Sequence, residues 1–167
     1  MSAEHICSEA ELNALALRTA FEASAFSVQA EVVRPRVLLS GPLGAGKSTY
    51  ARSFLEAIGV DRAAEGSPTF SIAHEYVDSR AGRVIHADAY RLKSEAELEE
   101  TGLLDALWDP GVLLLIEWMD LFPDLILKLK KSELPVWEVR IDFVSAEQSA
   151  SSRNPDLLRR VQISRNF

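Results

Sequence analysis

The sequence predicts a single α/β domain with a central, mostly parallel β-sheet flanked by helices. Three observations carry that expectation. An apolar run, Val37 to Leu39, stops at a glycine-rich turn, and a helical stripe of Ala51, Phe54, Leu55 and Ile58 follows it. The stretch "VLLLIEW" is continuously apolar, as a strand covered on both faces must be. Strand-like and helix-like patterns then alternate along the chain, with no internal repeat. At 167 residues, 47% hydrophobic and 26% charged, the chain fits one domain spanning 1–167 with a sizeable core.

The elements follow in order. Ser8 and Glu11 have capping-box spacing ahead of Leu12, Leu15, Ala16 and Ala20, which predicts a helix fading near Ser24. "EVVRPRVLLS" reads as a strand, with Pro35 marking an edge or a bend at its start. The helix after the glycine turn closes at Gly59, which suits a left-handed C′ position. "DRAAEGSPTF" is loop, and "SIAHEYVDSRAGRVIHADAY" predicts two strands around "SRAG". Ser94 and Glu97 repeat the capping-box spacing before a short acidic helix ending near Gly102, and a second short helix holds Leu103 to Trp108. "DPG" breaks it before the apolar strand. "LFPDLILKLKKSELP" is ambiguous between helix and loop. "VWEVRIDFV" alternates as a strand, 145–156 forms a serine-rich polar loop expected to be flexible, and "LLRRVQIS" would return as a strand beside the previous one.

Composition narrows the function classes. A net charge of −7 argues against a free-standing nucleic-acid binder, which needs a basic surface. Cys7 is the only cysteine, so no intramolecular disulfide framework exists and a reducing cytoplasm is expected. The N-terminal "MSAEHICSEAE" lacks the apolar core of a secretory signal, and no apolar run approaches the roughly 20 residues that cross a bilayer.

The glycine turn carries the chemistry. Gly41, Gly46, Lys47 and Ser48 satisfy G-x-x-x-x-G-K-[ST], the P-loop pattern. Glycines let the backbone curl until successive N–H groups converge on one anion, and the positive end of the next helix points to the same place. Gly44 gives a further close approach, Lys47 would reach the β- and γ-phosphates, and the Ser48 hydroxyl would ligate magnesium. Such a loop needs an acid nearby. Glu117 qualifies because a buried strand leads directly to it, and Asp88, in "HADAYRL", ends another strand. Thr69, in "SPTF", has the look of a γ-phosphate-sensing residue. Trp118 reads as core or interface filler, His86 as a structural histidine, and "EAELEE" as a solvated helix face. His5 and His74 have no partners at metal spacing.

Taken together, "SGPLGAGKST", "SPTF", "HADAYRL" with "EAELEETGL", and "LLLIEW" resemble, in order and spacing, the TsaE (YjeE) family over roughly residues 5 to 144. That family consists of bacterial P-loop ATPases of tRNA threonylcarbamoyladenosine biosynthesis. The resemblance implies an ATP- and magnesium-dependent ATPase that works with TsaD- and TsaB-like proteins and meets tRNA only through them. It implies that Gly44 to Thr49, with Ala45 and Thr49 among them, cradle the phosphates, that Ser48 and Glu117 hold magnesium, and that Asp88 and Thr69 sit near the γ-phosphate, with the nearer group to the attacking water left open between Asp88 and Glu117. Trp118 becomes a neighbour of the site, at the partner surface.

Departures from the family pattern are Pro42 in place of an acid, Ser48 in place of threonine, and Ala87 and Ala89 in place of larger apolar residues. The serine-rich loop also replaces a shorter turn, so no nucleotide contact is expected from the C-terminal strands. Two other readings remain: a P-loop small-molecule kinase, for which Arg91 alone is a poor arginine lid, and a nucleotide-dependent assembly factor with negligible hydrolysis. A GTPase is disfavoured because no asparagine precedes a lysine.

Overall fold

Seven strands make one sheet in the order β1-β7-β6-β2-β5-β4-β3 in a computed structural model that describes residues 2–24, 33–60, 72–79, 82–144 and 158–166. The strands are β1 (Ser2–Cys7), β2 (Arg36–Ser40), β3 (Ala73–Ser79), β4 (Gly82–Asp88), β5 (Val112–Glu117), β6 (Val136–Phe143) and β7 (Arg159–Arg165). The helices are α1 (Glu9–Ser24), α2 (Lys47–Ala57), α3 (Glu95–Glu100), α4 (Leu103–Trp108) and α5 (Pro123–Lys130). The four inner strands β6, β2, β5 and β4 run parallel, while β1, β7 and β3 add antiparallel flanks. "SPTF" with Thr69, and the loop 145–156, lie outside the described residues.

Period-two alternation assigns the inner strands to two cores. Val37, Leu39, Leu113, Leu115 and Val84 pack with α1 and α2 on one face of the sheet. Leu38, Val112, Leu114, Ile116, Ile85 and Ala87 pack with α3, α4 and α5 on the other. Every residue of β5 is therefore buried, which explains its unbroken apolar run. Ala87 and Ala89 are fully buried, so their small side chains are accommodated in this core.

The helix ends obey local rules. Ser8 donates its N–H and its hydroxyl to Glu11 at 2.8 Å, and the Glu11 N–H reaches back to Ser8 Oγ at 3.4 Å, so the capping box forms. Ser94 Oγ accepts from the Glu97 N–H, whereas the Glu97 carboxylate reaches one residue further, to the Lys93 N–H. Gly59, at φ 84°, ends α2 as expected. The ambiguous segment resolves as α5, with Pro123 in the first turn, where a missing N–H costs nothing.

One strand has no counterpart in the sequence reading. β1 is mostly exposed and polar, and it is held by antiparallel pairing to β7 along Ser2 to Cys7. Its last residue, Cys7, is 4% exposed, and burial pushes its thiol pKa up. A buried thiol held in the protonated form is a poor nucleophile. Cys7 should therefore resist iodoacetamide in the folded protein at neutral pH and react fully after denaturation, which intact-mass measurement would read directly.

Candidate functional site

β2 delivers the chain to the glycine turn at the C-terminal end of the parallel strands, where open α/β sheets bind ligands. Gly41, Gly44 and Gly46 all have positive φ, at 128°, 77° and 110°. At Gly41 space adds to the conformational demand, because a Cβ there would meet the Ile141 carbonyl oxygen at 2.0 Å. At Gly44 the nearest atom to such a Cβ is 3.9 Å away. Gly41→Ala should thus cost about 3 kcal/mol or more, from overpacking and left-handed strain together, and Gly44→Ala only about 1 kcal/mol. Thermal unfolding should separate them, with drops of about 6–12 °C and 2–4 °C respectively.

Gly46 caps α2 without a side chain, so the first-turn amides of Lys47, Ser48 and Thr49 have neither an intrahelical acceptor nor a side-chain cap from it. Ala45 is buried, and its N–H bonds back to the Pro42 carbonyl at 3.2 Å, closing the loop. Uncapped amides on a helix N-terminus form a cradle for an anion.

Lys47 lies at the centre. Its ammonium is almost fully buried and donates to the carbonyls of Gly41 at 2.7 Å and Pro42 at 2.9 Å. It also sits 3.5 Å from the centroid of the Trp118 ring. Burial lowers its pKa, and Glu117, Asp120 and Asp88 oppose that shift. A cation surrounded in this way is poised for a multiply charged anion.

The acids come from neighbouring strands. Glu117, 1% exposed, ends β5 and accepts the Ser48 hydroxyl proton on Oε2 at 2.8 Å. Its Oε1 accepts from His86 Nε2 at 3.0 Å. Asp88 is the register partner of Glu117 on β4, and its Oδ1 accepts the Tyr90 N–H at 2.9 Å. Among the described residues, no group of three His, Cys, Asp or Glu side chains could hold a metal by itself. One hydroxyl and one carboxylate beside a phosphate cradle nevertheless suit magnesium, which takes few protein ligands and completes its octahedron with water and phosphate oxygens. The residues present fit both groups.

Trp118 is the one non-glycine with positive φ among the described residues, at 67°. A left-handed tryptophan is held against a backbone penalty of about 1–2 kcal/mol. Its ring lies between the Lys47 ammonium and the exposed Tyr90, 4.7 Å from the latter's ring centroid. The core-or-filler reading of Trp118 thus gives way to a residue at the site.

Strands from the C-terminal part also reach the loop, a contact the sequence reading did not anticipate. Arg159 Nε donates to the Ala45 carbonyl at 3.0 Å, and its guanidinium lies 4.7 Å over the half-exposed Phe143 ring. Nothing in the sequence signalled this, because 114 residues separate the bonded pair and no motif links them. The structural reading of His86 is incomplete in the same way, since its one bond goes to a site carboxylate. A separate cavity of about 450 Å³ lies by β3, β4 and α4; of its charged residues, Arg83 pairs with Glu75 and Asp109, and Asp105 adds a third acid. A lining with three acids and one already paired cation suits a phosphate poorly, and the glycine turn is the better candidate.

Comparison with known proteins gives consistent matches. A family model described as "Threonylcarbamoyl adenosine biosynthesis protein TsaE" matches residues 6–153. Proteins named tRNA threonylcarbamoyladenosine biosynthesis protein TsaE are 39% identical over 90 residues in Rickettsia conorii, covering 54% of this chain and 50% of that one. The Bacillus subtilis protein of that name is 40% identical over 86 residues, covering 52% and 51%. The Streptomyces coelicolor protein is 43% identical over 83 residues, covering 49% and 55%. The chain therefore spans about half the length of these curated relatives. A crystal structure titled as Bacillus subtilis YdiB superposes with a TM-score of 0.59 at 24% identity, covering 98% of this chain and 84% of that one, and shows the same fold.

Proposed function

The chain belongs to the TsaE family of threonylcarbamoyl adenosine biosynthesis proteins, and from that membership we propose that it is the ATP-binding and ATP-hydrolysing subunit of the tRNA threonylcarbamoyladenosine machinery, acting with TsaD- and TsaB-like proteins. The observation that carries the reading is the convergence of the glycine turn, the buried Lys47 ammonium and the Ser48–Glu117 pair, 2.8 Å apart, at one end of the sheet. The first-turn amides of α2 bind the phosphates, and Lys47 neutralises them as negative charge shifts during transfer. Ser48 and Glu117 hold magnesium, which when bound draws charge from the phosphate oxygens. Asp88, oriented through the Tyr90 N–H, and Thr69 position the attacking water. Such transfer depends chiefly on positioning and charge, so neither Asp88 nor Glu117 needs to be a strong base.

An acidic chain suits this role, because the partners can supply the RNA-binding surface. Trp118 and Tyr90 are the residues through which a partner would sense the site. tRNA modification is cytoplasmic work, and no described helix is long and apolar enough to cross a membrane.

Phosphate release measured with and without the TsaD–TsaB pair tests the proposal, with Lys47→Ala as control. Low release alone and a marked rise with the pair are expected. An unchanged rate in the reconstituted mixture overturns the partner assignment, and transfer of the phosphoryl group to a metabolite would indicate a kinase instead.

A further inference from the structure

His86 is buried in β4, 3% exposed, and the mechanism above makes no use of it. We propose that His86 is a positioning residue, whose Nε2–H clamps one oxygen of Glu117 so that the other stays aimed at Ser48 and the magnesium position. The inference rests on the reading of Ser48 and Glu117 as the magnesium-holding pair.

The two Glu117 oxygens have different partners. Oε1 accepts from His86 Nε2 at 3.0 Å, while Oε2 accepts from Ser48 Oγ at 2.8 Å. The last torsion of a glutamate is broad and roughly two-fold, so one bond leaves the carboxylate plane free to turn. A second bond, from a ring that is itself packed in place, removes that freedom. Carboxylates that ligate metals are commonly held by such outer partners.

Packing alone does not account for an imidazole here. Val84 and Leu115 lie in the core that this face of the sheet builds, and an apolar side chain would satisfy it. Instead, His86 Nδ1 is buried without a hydrogen-bond partner among the described residues. Leaving one nitrogen orphaned offsets what the other nitrogen's bond contributes, so the ring is a poor stabiliser. What it does supply is direction. β4 and β5 are parallel neighbours, with His86 opposite Leu115 and Asp88 opposite Glu117, so His86 must reach diagonally, and the bond is made by its outer nitrogen, Nε2.

That geometry sets the test. Glutamine can bring an amide N–H close to the Nε2 position, asparagine is too short, and leucine has no donor. In the chain of residues 1–167, calorimetry would measure ADP affinity in EDTA and the magnesium concentration that half-saturates tight ATP binding, with thermal unfolding as a check on folding. His86→Asn and His86→Leu should raise the half-saturating magnesium concentration by about 10–100-fold. ADP affinity in EDTA should stay within about twofold of the parent, because the phosphate cradle is untouched. His86→Gln should return the magnesium requirement to within a few-fold of the parent.

Parental magnesium dependence in the asparagine and leucine variants would overturn the proposal, as would equal impairment of all three variants or a parallel loss of ADP binding in EDTA. If leucine fails to fold, the glutamine–asparagine comparison carries the test. If none folds, the ring serves packing and the proposal falls. A parent that binds nucleotide without any magnesium effect overturns the magnesium reading of Ser48 and Glu117, and this inference with it.

Discussion

Lys47→Ala should lower ATP-dependent phosphate release by at least about 10²-fold, with little change in the stability of the nucleotide-free protein. The activity loss follows from position, since the ammonium is buried inside the glycine turn, bonded to the Gly41 and Pro42 carbonyls. Stability obeys a different balance. Removing the side chain forfeits two hydrogen bonds, each worth about 1 kcal/mol net, and the contact with the Trp118 ring. It also relieves the burial that lowers the Lys47 pKa, a sign that this environment disfavours the charged form despite Glu117, Asp120 and Asp88. Pro42 is exposed, so water can serve its carbonyl in the variant, whereas the buried Gly41 carbonyl loses its bond to Lys47. These contributions should cancel to within about 1 kcal/mol. Thermal unfolding without nucleotide, set beside phosphate release, would show whether activity falls without stability. A variant that lost both together would mean that Lys47 is chiefly structural.

How much of this was legible depended on how local the signal was. The glycine turn, its lysine and the helix behind it are consecutive, and backbone conformation dictates their residue types, so this strand–turn–helix unit could be read directly. β5 was legible because burial on both faces leaves an unbroken apolar run ending at Glu117. The short helices α3 and α4 were legible through Ser94 and Gly102 at their N-termini. β1 was not, because an edge strand held by backbone pairing needs no apolar alternation. α5 was obscured because "LILKLK" also alternates like a strand.

At the site, the residues that escaped are those whose meaning is a contact. Arg159 reaches the glycine turn only because β7 returns beside β6. The partner of His86 lies 31 residues away, and only the parallel pairing of β4 with β5 brings the two together. A histidine in a strand reads the same whether its ring faces a leucine or a buried carboxylate. Trp118 was placed near the site by family resemblance alone, and its left-handed backbone has no signature in the sequence. Away from the site, Arg36 is the clearest case. One charged residue at the start of a central strand suggests a solvated end, yet its side chain is fully buried.

Arg36→Met should therefore be among the most destabilising single changes in the chain. The guanidinium donates to the carbonyls of Leu107 at 2.7 Å and Val112 at 3.1 Å, and also to those of Arg34 and Asp109. These acceptors belong to the C-terminal end of α4, the entry to β5 and the lead into β2. One planar fork thus supplies the donors that the final carbonyls of α4 lack. Burial lowers the Arg36 pKa to about 10, with Asp109 acting against it, so the group keeps its charge at neutral pH. Methionine matches much of the volume but leaves the buried Leu107 and Val112 carbonyls unpaired, at about 1–3 kcal/mol each. The net loss should be about 3–5 kcal/mol out of a stability on the order of 5–15 kcal/mol. Thermal unfolding should register a drop of about 10 °C. Arg36→Lys should recover only part of it, because one ammonium cannot reach four carbonyls spread over three segments. Arg36 stands at the opposite end of β2 from Ser40, about 13 Å away, and touches no group of the phosphate site. Nucleotide affinity measured well below the unfolding transition should then stay within about twofold of the parent. An unfolding temperature within 2 °C of the parent, by about 1 kcal/mol, would mean that water replaces the guanidinium at those carbonyls and that the α4–β5 junction is held by its apolar contacts alone.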